Sequence, residues 1–201
     1  DSDGGLSIVD ISDPAQASLT GSIAAGISLV DVAVAGPYAY LVDSSSSLQV
    51  IDVSDPAVPR IAGNGNTGAG VAIAVAGDYA YLTTGSAVTS INVSDPTNPV
   101  VTDTFDSADA GATVDPLGIA LSGSHVYVAN KFEGLLVIDV SNPEAMSFAG
   151  SLATSYAREV AVAGSYAYVL DGSGGGLRII DIADPTAPEL VDTVAAGSDG
   201  L

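Results

Sequence analysis

The sequence has no cysteine and no tryptophan, one methionine, one histidine and four basic residues in 201. Each scarcity closes a class of function. Without Cys there is no disulfide scaffold, no thiol nucleophile and no thiolate-bound zinc or iron–sulfur centre. One His leaves almost nothing from which to build a nucleophile–base triad or a His-rich metal site. Four Lys+Arg against 24 Asp+Glu, a net charge of −20, remove the basic footprint that nucleic acid or an anionic membrane requires. No apolar run approaches the ~18 residues of a membrane helix, and no charged-then-apolar leader opens the chain. It starts at Asp1 rather than Met, which reads as a mature or excised product.

What remains is small, apolar and acidic. Apolar residues make up 47% of the chain, enough for a packed core, and the length fits one domain. Glu occurs only at Glu133, Glu144, Glu159 and Glu189, so the other acids are Asp. Asp favours turns and supplies oxygen ligands, whereas Glu favours helices. The bias therefore points to many turns and few helices. A strongly negative surface stays soluble by self-repulsion and suits a salty or cation-rich exterior, where counterions screen it. The expected location is extracellular or the cell surface, with no nucleic-acid partner and no membrane insertion.

A repeat organises the chain. Val50-Ile51-Asp52-Val53-Ser54-Asp55-Pro56 has counterparts at Ile8–Pro14, Ser90–Pro96, Val137–Pro143 and Ile179–Pro185, with prolines 42, 40, 47 and 42 residues apart. A second motif interleaves, Gly36-Pro37-Tyr38-Ala39-Tyr40, returning at Gly77, Gly123 and Gly164. Each unit parses into four strands. Val32–Ala35 is strand A, and the Gly after it supplies the positive φ of a two-residue II′ hairpin. Tyr38–Val42 is strand B, with its aromatics two apart on one face. After an Asp/Ser/Gly loop comes strand C, Leu48–Val53, which the Ser-Asp-Pro turn ends; a short strand D follows. Four antiparallel strands per ~42 residues is the spacing of a β-propeller blade. The fold class is all-β.

The stretches Leu135–Pro143 and Leu177–Ile182 resemble the LVIVD repeat family. That resemblance spans nearly the whole chain and implies β-propeller repeats of bacterial and archaeal cell-surface and secreted proteins. It implies a fold and a location but no single chemistry. Two departures are mild: Asn92 replaces the motif Asp, and the later proline of Pro59, Pro99 and Pro188 is missing in the first and fourth copies.

The units divide the single domain into a half blade at 1–25 and blades at 26–66, 67–106, 107–153 and 154–201. The half blade holds only strands C and D, and Gly197–Leu201 stops where another strand A would begin. Three readings of this count stay open. The missing strands lie outside the chain, the ring closes with four or five blades and an irregular seam, or a neighbouring molecule completes it. In the last case an unpaired edge templates strand addition, and a non-closing contact builds filaments.

Blade geometry sorts the loops. A–B and C–D turns share one rim and repeat, so they read as architecture, including Asp10, Asp52, Asn92, Asp139 and Asp181. B–C and D–A loops share the other rim and vary, which is where binding usually lives. The ligand-face candidates there are Asp31, Asp43, Asn130, Lys131, Phe132, Glu133, Arg158, Glu159 and Asp171, with Arg158 and Glu159 expected to form an ion pair. Phe132 beside Asn130 and Lys131 is the loop that offers a sugar both aromatic and polar contacts. The third D–A connection is the longest and adds acids at Asp103, Asp106, Asp109 and Asp115. Ca²⁺ takes six to eight oxygens, which makes these four the candidate metal ligands, although their spacing matches no defined loop. No other cofactor is expected. Asn92-Val93-Ser94 is an N-glycosylation sequon.

Other signals fail on context. Gly63–Gly68 spells a dinucleotide pattern but precedes a strand, so no helix N-terminus awaits a phosphate. Asp1-Ser2-Asp3-Gly4 opens like an EF-hand loop and lacks its later ligands. His125 fills the slot of Tyr38, Tyr79 and Tyr166 and reads as a packed blade residue. The sequence thus predicts a non-catalytic extracellular structural or interaction module. Adhesion or self-assembly leads, as a filament or surface-layer subunit meeting its own copies, another surface protein or a glycan. A carbohydrate- or Ca²⁺-binding module is the second reading, and a carboxylate hydrolase or lyase the third.

Overall fold

In each repeat a glycine at positive φ turns strand A into strand B. Gly36, Gly77, Gly123 and Gly164 all stand at φ between 55° and 60°, and the following Pro37, Asp78, Ser124 and Ser165 do not share it, as a II′ turn requires. The computed structural model describes residues 4–25, 28–45, 47–172 and 174–195; the Asp1–Asp3 segment and Gly197–Leu201 discussed above lie outside them.

Eighteen strands form among these residues. β1 (Gly5–Asp10) and β2 (Ser18–Ala24) make a two-stranded half blade. The second blade is β3 (Leu29–Ala35), β4 (Tyr38–Asp43), β5 (Ser47–Asp52) and β6 (Arg60–Asn66). The third is β7 (Gly70–Ala76), β8 (Tyr79–Thr84), β9 (Val88–Asn92) and β10 (Val100–Phe105). The fourth is β11 (Ile119–Ser122), β12 (His125–Asn130), β13 (Gly134–Asp139) and β14 (Ser147–Leu152). The fifth is β15 (Ala157–Ala163), β16 (Tyr166–Asp171), β17 (Gly176–Asp181) and β18 (Glu189–Val194). All are antiparallel meanders in chain order, and the four whole ones are the expected four-stranded propeller blades. No helix among the described residues is long and apolar enough to cross a membrane.

The middle strands are buried on both faces because blades stack on each other, so β4, β8 and β12 read as near-continuous apolar runs rather than alternating ones. Four clusters fill the successive junctions. Leu6 and Ile23 meet Ala39, Leu41 and Ile51. Tyr40, Val42, Leu48 and Val50 meet Ile73, Ala80, Ile91 and Val93. Tyr81 and Val88 meet Val126, Val128 and Ile138, and Tyr127, Ala129, Leu135 and Val137 meet Val160, Ala167, Val169 and Ile180. Among the described residues no such cluster joins the fifth blade to the first.

The C–D turns are built by side chains. The C-strand acid or amide accepts from the backbone two residues on: Ser12 N to Asp10, Ser54 N to Asp52, Ser94 N to Asn92, Ser141 N to Asp139 and Ala183 N to Asp181, all at 2.7–3.0 Å. The residue before each proline repeats the device, from Ala15 N on Asp13 to Thr186 N on Asp184. Hydroxyls of Ser54, Thr97 and Thr186 lead in holding Asp52, Asp95 and Asp184 below the ordinary carboxylate range, with the backbone bonds adding to them, and the backbone bonds from Ser12 and Ser141 lead in doing the same for Asp10 and Asp139. Asn92, the sequon residue, is thereby the turn cap of its blade, and its Oδ1 also accepts from Ser94 Oγ at 2.6 Å.

Six residues after each motif proline the D strand carries an unpaired bulge residue, and in all but the fifth blade the residue after it lies against the next blade's turn. Gly21, Gly63 and Gly150 occupy this slot in three blades, where a Cβ would collide with the backbone at Pro56, Pro96 or Pro185 of the blade that follows. The third blade puts Asp103 there instead, and its carboxylate accepts from Met146 N of the fourth blade at 2.6 Å.

Candidate functional site

The residues just ahead of and opening the four A strands converge on the axis at the rim carrying the variable loops. Val30-Asp31, Val71-Ala72, Leu117-Gly118 and Arg158-Glu159, with Ile119, line one cavity of about 490 Å³. Asp31 is anchored there by Val32 N and, across the blade junction, by Ile73 N, both at 2.8 Å. Glu159 accepts from Val160 N at 3.2 Å and lies across Gly118, where any Cβ would meet its carboxylate. Arg158 and Glu159 do not pair with each other, contrary to the expectation from sequence. The Arg158 guanidinium instead sits 5.8 Å over the Tyr156 ring, a cation–π contact, which draws it toward the rim.

Tyr156 in turn meets Phe132 edge to face, with centroids 4.9 Å apart. Phe132 is 70% exposed, so a rigid aromatic edge runs from the cavity mouth onto the surface. Its loop is fixed on both sides. Lys131 stands at φ 25°, its carbonyl accepts from Ala157 N at 2.8 Å, and its ammonium pairs with Asp115 at 2.6 Å. Glu133 is exposed beside it. Tyr156 was missed in the sequence because it lies in an irregular D–A connection with no counterpart in the repeat.

Three ligand-face candidates serve the scaffold. Asp43, Asn130 and Asp171 end their B strands buried. Asp43 takes Ser45 N, Ser45 Oγ and Ser47 N and shapes its B–C loop. Asn130 accepts from Asp115 N and donates to Thr113 O, pinning the long D–A connection. Asp171 accepts from Ser155 N and Tyr156 N, and from Arg178 Nε at 3.0 Å. A buried polar group must find partners, and here the loops supply them, so these side chains face inward rather than toward a ligand.

The four candidate calcium ligands are not brought together. Asp103 bridges to Met146, and Asp115 pairs with Lys131. Asp106 caps the one-turn helix α1 (Ser107–Ala110), accepting from Ala108 N while Asp109 accepts from Asp106 N. Among the described residues no group of three or more acids or His is placed to hold a metal. His125 packs in its Tyr slot, 6.5 Å from the Tyr127 ring. Gly63–Asn66 end strand β6, and strand β7 follows, so the Gly-rich letters carry no phosphate cradle.

Comparison with known proteins bears on the fold. No protein of curated function matches in sequence. A functionally unknown protein from Desulfotomaculum acetoxidans DSM 771 superposes with a TM-score of 0.81 at 15% identity, over 97% of this chain and 64% of its own. A "putative 6-phosphogluconolactonase" from Bacteroides uniformis ATCC 8492 gives 0.74 at 14% identity, over 90% of this chain and 61% of its own. This chain thus spans less than two thirds of either neighbour, and the likeness is one of fold. The LVIVD repeat model matches five times, at residues 1–25, 28–67, 68–107, 115–154 and 155–196. With the repeat, its turns and its blades all in register, the chain belongs to the LVIVD repeat family.

Proposed function

We propose that this chain is a non-catalytic structural and interaction module of the cell exterior, acting by adhesion at its axial mouth. The observation that carries the reading is the Phe132–Tyr156–Arg158 stack. It offers a pre-ordered aromatic edge beside a cavity with Asp31 and Glu159 at its lip. A rigid exposed aromatic flanked by polar groups suits the apolar face and hydroxyls of a sugar ring. The acidity of the chain favours neutral over anionic glycans. Its Lys-poor, acidic composition is what supports the exterior location.

The phosphosugar lactone suggested by one neighbour's name fits this mouth poorly. A phosphate would meet two carboxylates and one guanidinium on a chain of net charge −20, and Asp31 already holds two backbone N–H groups. Incubation with 6-phosphogluconolactone is expected to give no turnover above the spontaneous rate. A neutral-glycan array with the wild-type chain and Phe132→Ala tests the adhesive reading. Binding that Phe132→Ala abolishes supports it. Absence of binding, or binding indifferent to Phe132, overturns it.

A further inference from the structure

The caps of the C–D turns differ at a single blade. Asp10, Asp52, Asp139 and Asp181 cap four of the turns, and Asn92 caps that of the third blade. The residue directly opposite the cap on strand D changes with it. It is Ser18, Arg60, Ser147 and Glu189 against the four aspartates, and Val100 against Asn92. Val100 is 48% exposed. Directly opposed side chains of an antiparallel pair share a face, with Cβ atoms about 5 Å apart. An amide therefore stands beside an uncovered isopropyl group in the one blade where both positions of the pair depart from the repeat.

The cap uses only half of the amide. Oδ1 accepts from Ser94 N at 3.0 Å and from Ser94 Oγ at 2.6 Å, whereas Nδ2 has no partner among the described residues and is not buried. Ser94, Asp95, Thr97 and Asn98 around it are exposed. Asn92-Val93-Ser94 is also the only Asn-x-Ser/Thr triplet in the chain. Relief of repulsion from the exposed Asp78, whose carbonyl accepts from Val93 N at 2.8 Å, accounts for an amide at 92 but not for a valine at 100.

We infer that Asn92 carries an N-linked glycan whose first sugar lies over Val100. In the transfer, Nδ2 forms a bond to the anomeric carbon of a sugar carried on a polyprenyl phosphate or pyrophosphate. The bond from that carbon to the phosphate oxygen breaks, the phosphate leaves with its electron pair, and an amide proton passes to a base of the transferase. Oδ1 keeps both of its hydrogen bonds, so the turn survives the modification. Contact with the C–H face of a sugar ring takes Val100 out of water and leaves the hydroxyls solvated. The C–D rim is opposite the one that carries Phe132, so this glycan leaves the axial mouth clear. The inference rests on the exterior location proposed above, where lipid-carried sugars are transferred, and not on adhesion.

Mass spectrometry of the protein recovered from the cells that make it, separated into external and cytoplasmic fractions, tests it. The peptide containing Asn92 is expected to carry a mass increment of whole sugar residues. Asn92→Asp, which keeps the cap used by the other four blades, should carry none. The glycosylated chain should melt about 2–4 °C above the same chain made without the transferase, the shift expected when one valine-sized patch leaves water in a chain of this length. Val100→Ser, which installs the residue of the first and fourth blades, should keep the increment and lose that gap. An unmodified Asn92 in external protein overturns the inference and leaves the exterior location standing. Protein confined to the cytoplasm with Asn92 unmodified overturns both. A glycan at Asn92 whose melting gap survives in Val100→Ser overturns the cover over Val100 alone.

Discussion

Replacing Gly63 by alanine tests whether the blades are locked to one another by the turn that lies against the D strand. A Cβ at 63 would stand 2.6 Å from Thr97 O and 2.7 Å from Thr97 C, and nearer still to Pro96 O. All three are backbone atoms, so no side chain can swing aside. The third blade's turn must retreat by roughly 1 Å to restore an ordinary 3.4 Å contact with Pro96 O. That turn is held by Ser94 N on Asn92 and by Thr97 N and Oγ1 on Asp95. Overpacking of this kind costs about 1–3 kcal/mol, and the entropic gain of Ala over Gly in a strand returns about 0.5–1 kcal/mol. The net expectation is a loss of about 1–2 kcal/mol, or a fall in Tm of roughly 2–8 °C for a chain of this length. Urea and thermal unfolding followed by far-ultraviolet circular dichroism measure it, with Gly85→Ala as the control, since its Cβ would meet nothing within 4 Å. Equal stability of Gly63→Ala and Gly85→Ala would show that the turn yields freely and would refute the rigid junction.

Three further outcomes follow from the same structure. Asp103→Ala removes the acceptor of Met146 N and leaves a half-buried donor unpaired, so stability should fall by about 1–3 kcal/mol; an unchanged urea midpoint would deny the strut. Arg178→Met strips the guanidinium from buried Asp171 while the Ser155 and Tyr156 backbone donors remain, and about 2–3 kcal/mol should be lost, with recovery in the double variant Arg178→Met/Asp171→Asn. The turn carboxylates Asp10, Asp52, Asp95, Asp139 and Asp184 are held below their ordinary range. Their contribution is therefore full at neutral pH and disappears as pH falls below about 4 through the folded-state values. Acidification also relieves the negative self-repulsion. In high salt, which screens that repulsion, the urea midpoint should fall from about pH 6 to about pH 3, and a midpoint that rises would contradict the turn-capping argument.

The blades were legible because their signals are local. A glycine at positive φ followed by Tyr-x-Tyr, and an Asp or Asn two residues before a backbone N–H, act within one turn whatever surrounds them. The slot at proline plus seven, held by Gly21, Gly63, Asp103, Gly150 and Asp192, was not singled out, because a single sequence gives no reason for a glycine there until the next blade's carbonyl is seen beside it. Asp43, Asn130 and Asp171 stood on the expected rim, but whether their side chains face solvent or the loop backbone depends on burial. Asp103 looked like part of an acidic loop and is a tie between blades.

Periodicity and turn chemistry in this sequence dictate all-β blades and the rim that carries the variable loops, since each depends on neighbours within about forty residues. Tertiary structure decided which of that rim's polar groups are spent on the scaffold. Burial and the edge-to-face contact of Phe132 with Tyr156 arise from residues far apart in the chain. Their energies exist only once the blades are stacked.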